Sequence, residues 1–219
     1  MKQLVRAFVL AAAVVSVVAV GVSFARDREV QAATAHSDHF WGLLAVNGSP
    51  TAHFDTLDAM ADDSDLVVVG RILRVTPWRE VRDLGAEAEG YPREEASVYF
   101  ANATLVVDEA LKGIPSKAVQ LQLLLPKPGV LEQIQQDLPT ERGIYFLRDM
   151  GAYFAKENPK SGLATTLKDT FDFVSPQGLI RDLHTTVGVT ADEGDAFLTA
   201  MTRRTFPDVV AETSRAAAE

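Results

Sequence analysis

No cysteine occurs in the 219 residues. Disulfides, thiolate metal sites, a cysteine nucleophile and a lipid anchor on cysteine are therefore all excluded, and stability must rest on hydrophobic burial. Positive charge is scarce: 21 Lys and Arg face 30 Asp and Glu, a formal net charge of −9. Such a chain is repelled by nucleic acid phosphates and by anionic lipid, which removes nucleic acid from the expected partners. Catalytic signatures are missing as well. No serine sits in a Gly-x-Ser-x-Gly elbow or has Lys three residues on, and no His-Glu-x-x-His helix is present. There is no internal repeat, no heptad array and no motif that calls for a cofactor.

What the chain does have begins at residue 2. Lys2 and Arg6 precede Ala7 to Ala25, an uncharged run of Ala, Val, Phe, Leu, Gly and Ser, which reads as a secretory signal. Ser23, Phe24 and Ala25 place small residues where a signal peptidase inspects them, so cleavage before Arg26 is expected. The alternative is retention as a single-pass anchor with the domain outside, because the run approaches the length of about 20 residues that spans a bilayer. Either way residues 1–25 are the only expected membrane contact, and the location is secreted or extracytoplasmic envelope. Without those 25 residues, 19 basic residues remain against 30 acidic ones, a net charge of −11 on 194 residues. That length suits a single domain with a real core. Residues 26–52 read as a polar linker ending in Gly48, Ser49 and Pro50, with local order around Phe40, Trp41 and Leu43 as an option.

The domain is expected over 53–189. Phe54, Leu57, Met60 and Ala61 recur at helical spacing, with Asp55 as the expected N-cap. Leu66 to Val75 is a β-branched run holding Gly70, which suits a buried and bent strand. Residues 79–96 are charged and broken by Gly and Pro, the pattern of a long exposed loop. Tyr99, Ala101, Ala103, Leu105 and Val107 share one face of the next strand, and Val119, Leu121, Leu123 and Leu125 alternate with Gln120 and Gln122, which should face water. Val130, Leu131, Ile134 and Leu138 have helical spacing. Strands follow at Gly143 to Arg148, around Tyr153 and Phe154, at Phe171 and Phe173, and at Leu179 to Leu183. Residues 190–219 read as C-terminal helices, the first opened by a Thr190/Glu193 capping box and the second begun at Pro207. The fold class is mainly β with flanking helices: an OB-like antiparallel barrel, preceded by an apolar export helix and followed by a helical extension.

Ser64 to Gly70, a long strand closing on Val106, Leu111, Lys112 and Gly113, an alternating strand, and then Gly143 to Leu147 together resemble the netrin-like module. The resemblance covers about residues 60–150 and implies an OB-type five-stranded barrel like that of tissue inhibitors of metalloproteinases. Those inhibitors act through an N-terminal cysteine that binds the protease zinc. With no cysteine here, zinc-directed inhibition is not expected.

In OB-type barrels the connection between the first two strands borders the binding face, so Trp78, Arg79 and Tyr91, beside or within the 79–96 loop, are the expected binding residues. His36, Asp38, His39, His53 and Asp55 offer metal-ligand chemistry without fixed local spacing, so no metal site is expected and they read as solvated linker. Glu87, Glu89, Glu94 and Glu95 read as a solvated acidic loop rather than a glycosidase pair. These features favour a non-enzymatic module of the envelope that contacts a protein or polymer. The alternative is an extracytoplasmic hydrolase assembled from distant segments, for example His184 with a carboxylate of the 79–96 loop.

Overall fold

The computed structural model describes residues 34–44, 52–82, 89–90, 92, 97–160, 162–189 and 195–218. The export segment, the rest of the linker and the Thr190/Glu193 capping box lie outside them, as do Tyr91, Glu87, Glu94 and Glu95. Helix α1 (34–44) comes first, then α2 (Leu57–Asp62), β1 (Leu66–Arg82), β2 (Ser97–Lys112) and β3 (Ala118–Leu125). A 3-10 turn (Pro128–Val130) leads to α3 (Leu131–Gln136), β4 (Gly143–Asp149), α4 (Met150–Glu157) and α5 (Leu163–Thr166). The chain ends in β5 (Thr170–Phe173), β6 (Leu179–Asp182), β7 (Val187–Val189), α6 (Ala196–Met201) and α7 (Phe206–Ala216).

The protein is mainly β, with one seven-stranded mixed sheet in the order β1-β2-β3-β5-β4-β6-β7. β1 also pairs with β4, so that β1, β2, β3, β5 and β4 form a ring from which β6 and β7 extend. The expected all-antiparallel pairing is corrected at one place: β3 and β5 are parallel, through Gln120↔Thr170 and Leu121↔Phe171. The crossover through α3, β4, α4 and α5 supplies the reversal that a parallel neighbour requires.

The start of β1, Leu66 to Gly70, is apolar on both faces because both faces are covered. Leu66, Val68, Ile72 and Val75 join the inner core with Ala101, Ala103, Leu105, Leu121, Leu123 and Tyr145. Val67 and Val69 join an outer core with Ile144, Phe146, α2, α6 and α7. Gly70 is the last residue of β1 paired with β4, and the register with β2 shifts there. A Cβ at this position would collide with the Val106 carbonyl oxygen, so only glycine lets β1 bend away from β4 while staying on β2.

Residues 34–44, inside the expected linker, are helical and bury Phe40 and Trp41 against the inner core, so the optional local order around Phe40, Trp41 and Leu43 is what the chain adopts. Several local expectations are corrected. Thr56, not Asp55, caps α2 through its hydroxyl. Tyr153 and Phe154 lie on α4 because Asp149 caps that helix by accepting the Ala152 N–H, which outweighs the strand preference of two aromatics. Asp195 caps α6, and α7 opens around Pro207 as expected, with Thr205 as its cap. β1 continues through Arg82, where a loop was expected from residue 79, because Val81 and Arg82 pair with Val98 and Ser97. Gln122 is buried, not water-facing, and its Oε1 has no hydrogen-bond partner. Among the described residues no helix is long and apolar enough to cross a membrane.

Candidate functional site

Past Gly70 the side of β1 that faced β4 has no strand partner among the described residues, which is where Pro can sit in a strand. Pro77 occupies that stretch, and the register shift between Pro77 and Arg79 leaves Trp78 as an extra residue opposite β2. The Val75 carbonyl accepts a hydrogen bond of 2.9 Å from the Gln135 amide of α3. Between this end of β1, the start of β2 and α3 lies a groove of about 250 Å³. Pro77, Trp78, Tyr99, Phe100, Leu125 and Leu131 form its apolar walls, and Arg79 and Glu80 are its charged members.

Arg79 is the unusual side chain of the groove. Its guanidinium carbon lies 4.3 Å from the centre of the Trp78 ring and 5.1 Å from that of Phe100. The two rings meet edge to face at 6.2 Å, so they hold the planar cation by cation–π attraction. Burial lowers its pKa, and its Nε makes no hydrogen bond. Among the described residues no carboxylate pairs with Arg79, whereas Arg71, Arg142, Arg148, Arg181 and Arg204 each pair with Asp or Glu. The nearby Glu80 accepts a hydrogen bond of 2.8 Å from the Ser97 hydroxyl.

Of the expected binding residues, the fold brings Trp78 and Arg79 together, while Tyr91 lies outside the described residues. The sequence reading missed Tyr99, Phe100 and Leu131. Their only signal was the aromatic pair that opens β2, since the pairing Arg79↔Phe100 fixes which aromatic meets the cation.

A second polar constellation fastens α1 to the ring. Arg181 of β6, only 9% exposed, donates to the Ser37 hydroxyl at 2.9 Å and to Asp38 at 2.7 Å. Ser37 in turn donates to Glu141, itself 3.6 Å from the guanidinium. His36 and His39, one turn apart on α1, place their Nδ1 atoms 2.6 and 2.7 Å from the two oxygens of Asp137. Those hydrogen bonds from His36 and His39 hold the Asp137 carboxyl below its ordinary pKa. Both histidines are exposed, as expected, but they do not belong to a free linker: a carboxylate some hundred residues away ties them to the domain. His53 stands apart, 3.6 Å from Asp55 and 3.8 Å from Asp195. Among the described residues no group of three His, Asp or Glu side chains is arranged to hold a metal.

His184 lies in the β6–β7 connection with a positive φ of 71°, and its backbone N–H donates to Asp182 at 3.0 Å. Among the described residues no contact joins its ring to a carboxylate. Comparison with known protein families, with curated proteins and with solved structures gives no match.

Proposed function

We propose that the chain is an exported binding module of the cell envelope or the extracellular space, non-enzymatic, with the Trp78–Arg79 groove as its contact surface. The export part of this reading rests on Lys2, Arg6 and the apolar run Ala7 to Ala25. The ring order β1-β2-β3-β5-β4, with β3 parallel to β5, supports an OB-type barrel related to the netrin-like module. In that architecture the outer face of the second and third strands and the loop between the first two are the usual binding surfaces, and the groove lies at their junction.

The observation that carries the proposal is Arg79, a partly buried cation beside two aromatic rings without an acidic partner among the described residues. Partial burial raises the cost of leaving a charge uncompensated, and a charge left open at a groove is a recognition element. The partner expected is a protein or envelope polymer that contributes the missing negative charge.

The test is capture of envelope protein or polymer on the immobilised full chain. Trp78→Ala is compared with Ile114→Ser, whose parent side chain is fully exposed and remote from the groove. Retention of the same partner by the parent and the Ile114 variant, with loss in the Trp78 variant, is the expected result. Equal retention by all three would rule the groove out as the contact surface.

A further inference from the structure

We propose that the groove beside Trp78 is a carboxylate site that takes a small organic acid with an apolar body. The inference rests on the reading of the groove as the contact surface and puts a small acid, in place of a protein or polymer, in it. Three features of the groove point to it.

The first is charge. Acidic residues outnumber basic ones, 30 to 21, and on the described strands Arg71, Arg148 and Arg181 pair with carboxylates while Arg74 donates to the Thr104 hydroxyl. Arg79 has no carboxylate partner among the described residues, although burial already disfavours its charged form. Trp78 and Phe100 hold the guanidinium carbon 4.3 and 5.1 Å from their ring centres, and cation–π attraction uses none of its N–H donors. A carboxylate matches that planar fork with two parallel hydrogen bonds.

The second is the size of the charge. Among the described residues Arg79 is the one cation lining the groove, and Glu80 lies beside it. A singly charged acid is neutralised by one guanidinium, whereas a doubly charged phosphate would leave excess negative charge next to Glu80 in an apolar setting.

The third is shape. About 250 Å³ falls below the usual range of drug-sized pockets and suits one ring or a short branched chain. The β1 edge that borders the groove carries Pro77, which has no N–H, and the bulge at Trp78 interrupts its ladder. A polypeptide adding as a strand would find few backbone partners there, so the free acid is favoured over the C-terminal residue of a peptide.

The experiment follows Trp78 fluorescence in the full chain carrying Trp41→Phe, titrated with 4-phenylbutyrate, its amide, and a short peptide ending in phenylalanine. Saturable binding of the acid, weaker by about tenfold for the amide, is expected. Arg79→Gln should abolish the preference for acid over amide. Arg79→Lys, which keeps the charge and much of the stem, should weaken acid binding but retain the preference. Thermal melting confirms that each variant is folded. Equal affinity for acid and amide would overturn the carboxylate inference while leaving the groove as a binding surface. The same holds if neither binds although partner capture still depends on Trp78. Tighter binding of the peptide than of the acid would overturn the choice of a small acid. If neither ligand binding nor partner capture responds to changes at Trp78, the binding reading itself fails.

Discussion

Asp172 faces Arg148 across β4 and β5, and burial pushes its carboxyl up to about 6 against the hydrogen bond from the Phe173 N–H. The folded protein therefore holds a proton that the unfolded chain gives up near pH 4. The penalty appears as pH rises from about 4 to 6, stability falls across that window, and it levels off above. Asp172→Asn, which keeps an oxygen for the Phe173 N–H, should stabilise the protein at pH 7 by on the order of 2 kcal/mol and change little near pH 3.5. Denaturant unfolding at the two pH values measures this, and an equal effect at both would contradict it. Gly70 makes a steric demand instead. In Gly70→Ala the new methyl group meets the backbone oxygen of Val106, which cannot swing aside as a flexible side chain would. The loss should be about 1–3 kcal/mol.

At the scale of elements, α1 is held by two kinds of contact that should differ in weight. Arg181 and Glu141 are both nearly sealed from solvent, so Arg181→Ala would strand a buried carboxylate and cost about 3 kcal/mol. Asp137→Asn, at the more open His36 and His39 contact, should loosen α1 by less. The contribution of Asp137 is present above the ordinary carboxylate range and disappears as pH falls below it, because its folded pKa is depressed. Trp41 emission in a Trp78→Phe background reports both substitutions, and a larger effect from Asp137→Asn would reverse the ranking. None of these pairings was legible in the sequence, since Ser37 and Asp38 meet Arg181 across more than 140 residues and no local pattern encodes such a contact. Local periodicity did reveal β3, through Val119, Leu121, Leu123 and Leu125, and the bent first strand at Gly70. It put Gln122 in water, where the structure buries it, because alternation separates the two sides of a strand but does not show that both are covered. For the groove, Trp78 and Arg79 stood out beside a long loop. Phe100 did not, because only the strand register puts it over the guanidinium.

In the whole molecule the inner and outer cores share β1, with Val68 pointing into one and Val67 and Val69 into the other. Damage to either core should therefore be felt in both, in a single unfolding transition. Phe206→Ala removes an outer-core ring from α7 and should cost about 3–5 kcal/mol. Trp41, in the inner core, should report the same shift as backbone circular dichroism. Two separate transitions would show instead that the cores unfold independently. The attachment of α1 also sets a schedule for synthesis. Phe40 and Trp41 emerge early, but Ile134, Asp137, Glu141 and Arg181, which cover or fasten the helix, follow roughly a hundred residues or more later. At about 5–20 residues per second the two rings wait for seconds without their final shelter, open to unwanted association. Closing so long a loop places the docking of α1 among the late events of folding, after the local hairpin of β1 and β2.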